Sequence, residues 1–308
     1  MSRVVVGPFN RVEGDLEVHL DVEDGVVVSA EVAVPLYRGF EQILVGRPLE
    51  DALVIAPRIC GICSVSQSIA AARAIAAFAG VEVPPNGALA TALAHAAENV
   101  ADHLTHFHLF FMPDFARRAY AGAPWHAAIA ERFAAVSGTT ASDFLPARAR
   151  LLEIMGALAG KWPHSLAFRA GGTTRSLDLG DVVRLKAILA DVRAFAEGPL
   201  FGRRLETIAQ LATLDELAAM ADGPSDFAAF LRLADTLRLH EVGRGPGLVM
   251  SFGAYPGVGP AGAPLFAAGV LDLATGHRSD LAIDRCGEDP SHSWLAGEAG
   301  APGRATAE

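Results

Sequence analysis

The sequence predicts a mainly α-helical domain of the α+β class, entered through a β-hairpin near the N-terminus. Three observations predict it. Alanine-rich runs such as "SIAAARAIAAFAG" and "GALATALAHAAENV" have the composition of packed helices. Leu16, Val18, Leu20 and Val22 alternate with polar residues, and Asp24-Gly25 then turns the chain into "VVVSAEVAV". Nowhere does strand-helix-strand text repeat in the manner of a parallel sheet.

The elements follow in order. Pro48 opens a short helix, "PLEDALVIA", which Pro57 ends. A turn containing Cys60 and Cys63 leads into the helix "SVSQSIAAARAIAAFAG", with Gly80 as its stop. Pro84 and Pro85 break the chain, and Asn86 caps a long helix to about Met112 that carries His95, Glu98, Asn99, Asp102, His103 and His106. After Pro113 the text is mostly helical, with sheet near "LDLGD" and helices at 181–197 and 203–221. Beyond Arg244 it turns rich in Gly and Pro, and "AAGVLDLATGHRSDLAIDR" reads as a second hairpin. The expected organisation is one domain over 1–294 and a disordered tail of small and polar residues over 295–308.

Charge and hydropathy exclude several function classes. With 35 acidic and 25 basic side chains, the net charge of −10 gives no electrostatic basis for nucleic-acid binding. Every long apolar window is interrupted by charge, His or Pro, so no membrane span is expected. The N-terminal text lacks the pattern of a secretory signal, and three cysteines fit a reducing compartment, so the expected location is the cytoplasm.

Two of those cysteines stand in "RICGICSVSQ". A structural zinc site wants four protein ligands, and only Cys286 and scattered histidines remain to complete one. A thioredoxin-type redox pair opens a helix as here, but within a βαβ context. The third reading is a two-thiolate clamp for a metal that brings its other ligands with it. The helix N-terminus and Arg58 are expected to favour the thiolates of Cys60 and Cys63. Elsewhere, His103 and His106 are spaced to share a helix face, yet His95, Asn99, Asp102 and His106 also read as a hydrogen-bonded stripe, with Asp102 and His106 as an i, i+4 pair. Cys286 reads as a third thiol for the metal or as an inert buried residue.

"NRVEGDLEV", "YRGFEQILVGRPLEDA" and "RICGICSVSQSIA" resemble the opening of [NiFe]-hydrogenase large subunits, as do "ADHLTHFHLF", "GKWPHSLAFRAGGTT" and "EDPSHSW" further along. The ordered set covers about residues 8 to 294. The resemblance implies a large-subunit-like core in which Cys60 and Cys63 match the N-terminal cysteine pair that holds the metals. It gives Glu13 the position of a proton-relaying glutamate, Glu41 that of a magnesium-site glutamate, and Asp102 a place in the polar canopy over the metals. The family's C-terminal cysteine pair and the histidine after it have no counterpart, which leaves the magnesium site incomplete and half of the nickel ligands unsupplied. Gln67 stands where the family has a histidine, and a neutral amide cannot titrate.

A large-subunit look-alike without the C-terminal part resembles hydrogenase maturation proteins of the HoxV/HupK type. That implies a non-catalytic scaffold that holds an Fe(CN)2(CO) unit on Cys60 and Cys63, with Asp102 and Glu13 beside it and no nickel. Its expected partners are maturation chaperones and the hydrogenase large-subunit precursor. Two alternatives stay open: a divergent catalytic chain of the hydrogenase type, and a metal-free assembly chaperone that mimics the large subunit.

Overall fold

In the computed structural model, Asp24 and Gly25 both take positive φ, 50° and 80°, and close a tight hairpin. That backbone matches the right-handed twist of the strands it joins. The structure describes residues 2–9, 15–34, 36, 38–243, 245 and 247–286. They fall into two compact units, Met1–Val45 with Ala282–Glu308, and Gly46–Leu281.

The first unit is built on an antiparallel sheet of β1 (Ser2–Val6), β2 (Glu17–Glu23) and β3 (Val26–Ala33), with β2 central. The hairpin is the expected one, and the strand-like N-terminal text supplies its third strand. Arg3 on β1 reaches across the sheet to Glu31 on β3 at 2.7 Å. Gly39, at φ 66°, then turns the chain into the short helix α1 (Phe40–Leu44), which carries Glu41.

The second unit holds the helices α2 (Ser64–Ala79), α3 (Pro85–Thr105), α4 (His126–Phe133), α5 (Thr140–Ala159), α6 (Leu179–Phe195) and α7 (Asp226–Thr236), with one-turn helices between them. Its main core forms where α3, α5 and α6 pack. Ala94, Ala97, Ala101 and Leu104 repeat at helical spacing along one face of α3, and their small side chains let it lie close to α5. Phe144, Leu151, Met155 and Leu158 of α5, Ile188 of α6, and Val65 and Ile69 of α2 fill the space. A smaller cluster gathers Met112, Phe115, Ile129, Phe133 and Leu233. A hairpin of β4 (Phe168–Arg169) and β5 (Gly172–Thr173), and a sheet of β6 (Leu248–Ala254), β7 (Phe266–Asp272) and β8 (Arg278–Ser279), complete the unit. No helix among the described residues is long and apolar enough to cross a membrane.

Several boundaries differ from the sequence expectation, each for a local reason. Pro84, not Asn86, holds the N-cap position of α3, and Pro85 takes the first helical position, where a missing N–H costs nothing. The α-form stops at Thr105 and widens into a π-helix over His106–Phe111 before a last turn, Met112–Phe115. "LDLGD" is no strand. Asp178 caps α6 and exchanges a capping box with Asp181. Residues 203–221 break into Leu205–Ala209 and Leu214–Ala218, because Thr213 and Glu216 form a second capping box that restarts the helix.

The π-helix carries His108 into the interior, where it has no exposed surface. Its ring stacks on Phe144 with centroids 4.8 Å apart, and Nδ1 lies 2.8 Å from the Leu104 carbonyl, to which it donates. Its Nε2 stands 3.4 Å from Oδ2 of Asp226 at the start of α7. Arg132 grips the same carboxylate with Nε and Nη2, at 2.7 and 2.9 Å, and Asp143 with Nη1 at 2.6 Å. Burial raises the Asp226 pKa, but His108 and Arg132 outweigh it and hold the carboxyl below its ordinary range. This paired cluster ties the π-helix after α3 to α4, α5 and α7 among the aromatic rings of Phe107, Phe133, Phe144 and Phe195.

The first turn of α3 lies against the β4–β5 hairpin through glycine alone. A Cβ on Gly87 would stand 2.3 Å from the Gly171 carbonyl oxygen, and one on Gly172 would stand 2.6 Å from Gly87 Cα. Gly87→Ala therefore gains helix propensity of about 0.5–1 kcal/mol but forces a backbone shift costing about 1–3 kcal/mol. Gly156→Ala in α5 meets no atom within 4 Å and gains the propensity without the clash. Urea unfolding should show a lower midpoint for the first variant and a raised one for the second.

Candidate metal-binding cysteine turn

After the helical turn Ala52–Ile55, the 3-10 turn Ala56–Arg58 sinks Pro57 into the protein and turns the chain. Ile59 N donates back to Ala56 O at 3.0 Å. The chain then runs through Cys60-Gly61-Ile62 to Cys63, which holds the N-cap position of α2 without capping it by its side chain. Ser64 N closes the turn onto Gly61 O at 3.3 Å. Both cysteines are part-buried and free, and their thiols are hydrogen-bonded to each other. Gln67, one turn on, points its amide Nε2 at Cys63 Sγ from 3.7 Å.

The cap that the cysteines do not provide comes from another helix. Glu98 of α3 is only 3% exposed, and its carboxylate accepts from Val65 N at 2.8 Å and Ser66 N at 2.9 Å. It also accepts from the Ser66 hydroxyl at 3.1 Å and from Trp162 Nε1 at 3.0 Å. Four donors satisfy a buried group that is acceptor-only when ionised. The positive end of the α2 dipole and its unpaired N–H groups are thus already matched by a carboxylate.

His164 covers the other side of the turn. Its backbone N–H donates to Ser64 Oγ at 3.1 Å, and its Nδ1 lies 2.8 Å from Pro57 O. Because a carbonyl can only accept, Nδ1 carries the proton and Nε2 is left with a lone pair. A Cβ on Gly61 would stand 3.7 Å from that Nε2, so His164 packs directly on the Cys-Gly-Ile-Cys loop.

These surroundings reverse the expected electrostatics at Cys63. Burial, the hydrogen bond to Cys60 and the charge of Glu98 push its thiol up to about 11, against only the Gln67 amide, which favours the thiolate. The helix N-terminus does not activate it: burial dominates, and Glu98 occupies that end.

The other predicted residues scatter. Asp102 is exposed on α3, as are His103 and His106, and Asp102 makes no side-chain pair with His106. The expected stripe divides instead: His95 Nε2 meets Ser66 Oγ at 3.1 Å and Asn99 Nδ2 donates to Tyr255 OH at 2.6 Å, while His106 stacks on Phe111. Glu41 is exposed on α1. Nearby in the sequence, Arg38 lies over Phe40 and Arg47 reaches Asp51. Cys286 belongs to the first unit, part-buried, with Sγ donating to Ala282 O at 3.5 Å. Glu13 and the "EDPSHSW" block lie outside the described residues. Among the described residues no three His, Cys, Asp or Glu side chains converge as a metal site. Sequence reasoning missed Glu98 as the organising residue. Its signal was a carboxylate in register with Ala94 and Ala101 on the buried face of α3.

A two-thiol turn at the head of a helix, within a helical body of this topology, defines a class. Residues 38–151 match the family model described as nickel-dependent hydrogenase. The chain is 36% identical over 115 residues to the periplasmic [NiFeSe] hydrogenase large subunit of Desulfomicrobium baculatum, 37% of this chain and 22% of that protein. It is 33% identical over 107 residues to the hydrogenase-2 large chain of Escherichia coli, 35% of this chain and 19% of that one. The reduced, active Ni-Fe-Se hydrogenase from D. baculatum superposes with a TM-score of 0.68 at 24% identity, covering 98% of this chain and 59% of the other. The as-isolated oxidized Ni-Fe-Se hydrogenase of D. vulgaris Hildenborough gives 0.68 at 24%, covering 92% and 55%. The fold is therefore that of a hydrogenase large subunit, over somewhat more than half of the solved chains, and the matched stretch spans about a fifth of the length of these curated relatives.

The thiol geometry makes a prediction for the metal-free protein. A shift from 9.0 to about 11 lowers the thiolate fraction at pH 8 about a hundredfold, and the stronger nucleophilicity of the more basic thiolate returns about tenfold. Cys63 should react with iodoacetamide roughly tenfold slower than an exposed cysteine at pH 8. Its rate should climb until about pH 11, and Gln67→Leu should slow it further. Mass-spectrometric rates against pH read this directly. A plateau near pH 9 contradicts it.

Proposed function

We propose that this protein is a non-catalytic scaffold in [NiFe]-hydrogenase maturation, which holds an Fe(CN)2(CO) unit on Cys60 and Cys63 and passes it to the hydrogenase large-subunit precursor. The observation that carries the reading is the cysteine turn itself: two thiols in mutual contact, held ready at the head of α2 in a large-subunit fold. Soft thiolates suit iron, and a cargo that brings its own diatomic ligands needs few from the protein. Loading displaces one proton from each thiol, since the thiolate is the ligand. With Cys63 holding its proton tightly, binding competes with protonation and release is favoured once the cargo's new ligands are offered.

Gln67 supports the same reading. Beside Cys63 Sγ it can donate a hydrogen bond to a metal-bound sulfur but cannot carry a proton to or from the metal. Cycling protons at this sulfur, as hydrogen chemistry asks, would need a titratable group in its place. Asp102, four residues on from Glu98 at the exposed edge of α3, remains as an outer contact for the cargo. Maturation chaperones and the large-subunit precursor are the partners this role implies, acting in the cytoplasm.

Infrared spectra and metal analysis on protein purified without oxygen, from a host containing the maturation machinery, test the role. The expected result is cyanide and carbonyl stretches with about one iron per chain and no nickel, all lost in Cys60→Ala/Cys63→Ala. Native protein without the bands and without iron contradicts it and leaves a chaperone that copies the large subunit's shape.

A further inference from the structure

We infer that the cavity between α2, α3, the β4–β5 hairpin and the Tyr255–Pro256 loop binds a small organic anion, whatever the role of the cysteine pair. The cavity lies wholly within the Gly46–Leu281 unit and has a volume of about 230 Å³. That is space for about eight water molecules at liquid density.

Its walls divide by chemistry. Ile69, Val83, Ala92 and Phe168 supply apolar surface, and no Asp or Glu lines it. Arg73 from α2 and Arg169 from β4 bring two guanidinium groups, and neither makes an ion pair or hydrogen bond with another described residue. Elsewhere in the chain Arg132, Arg150 and Arg193 each hold two carboxylates. The acidic excess of 35 over 25 makes carboxylates plentiful. Two guanidiniums on one carboxylate-free cavity are left to bind a charge from outside the chain. Guanidinium matches the planar fork of a carboxylate and the oxygens of a phosphate monoester alike.

The remaining polar groups define what else the ligand meets. Ser66 Oγ donates to Glu98 and so accepts from His95 Nε2–H, which leaves His95 Nδ1 as an acceptor. Burial lowers the His95 pKa against the charge of Glu98, and the nearby Arg73 charge acts with burial, in keeping with a neutral ring. Tyr255 OH accepts from Asn99, so its own proton is free to donate. The cavity therefore offers two cationic forks, one hydroxyl donor, one ring acceptor and an apolar body, the complement of a compact aryl or alkyl oxyanion. The close Gly87–Gly172 contact fixes one wall and the His95–Ser66 bond another, so the site is formed before binding.

Titration calorimetry on the full chain with benzoate, phenyl phosphate and the neutral benzamide tests this. Benzoate or phenyl phosphate should bind, with benzamide at least about tenfold weaker. An Arg73→Gln/Arg169→Gln double variant, shown by its unfolding temperature to be folded, should lose about tenfold or more of the anion affinity. Added salt should weaken the binding. Benzoate alone identifies a carboxylate ligand, phenyl phosphate alone a phosphorylated one, and both an oxyanion bound by charge. No binding at about 10 mM, benzamide binding as well as benzoate, or unchanged anion affinity in the double variant overturns the inference.

Discussion

The second unit's functional end depends on one buried carboxylate. Glu98 takes two backbone N–H groups, a hydroxyl and an indole N–H, and each donor comes from a part of the site that must be placed. Val65 and Ser66 fix the first turn of α2, and with it the position of Cys63. Trp162 fixes the segment that carries His164 over Gly61. Leaving such donors unsatisfied in the interior costs about 1–3 kcal/mol each, more than most single contacts in the core contribute. The arrangement is therefore all or none: with the carboxylate in place, the cysteine turn is formed before any metal arrives.

Burial chiefly sets the character of the Cys63 thiol, and the charge of Glu98 adds to it. A helix N-terminus ordinarily favours thiolate, and α2 would do so if its end were open. With burial and a carboxylate seated at that end, Cys63 is held protonated. Such a thiol resists modification near neutral pH and gives up its proton to a metal that bonds sulfur strongly. Neutral Gln67 fits this character. In the proposed scaffold role these properties make a holding site: selective for a soft centre, and reversible.

Much of this was legible in the sequence. The Asp24-Gly25 hairpin, the stop at Gly80 and the cysteine turn opening α2 follow from local rules of turn geometry and capping. The chain also carried the resemblance to hydrogenase large subunits, since its motifs occur in order. Relations between distant segments stayed hidden. Glu98 caps a helix that begins 34 positions earlier in the chain, at Ser64, and no local rule points to it. The π-helix at His106–Phe111 brings His108 to Asp226, more than a hundred residues away. Asp102 follows Glu98 by four residues and lies at the exposed edge of the helix face that buries Ala97, Glu98 and Ala101, a placement that depends on which neighbours α3 packs against.

X-ray absorption at the iron edge of anaerobically purified protein is the most direct measurement of the central claim, that iron is held through the two sulfurs of this turn. The account predicts a shell of two sulfur neighbours alongside light-atom ligands, with the sulfur shell vanishing in the Cys60→Ala/Cys63→Ala variant. Four sulfur neighbours, none at all, or a sulfur shell that survives the double substitution would contradict it.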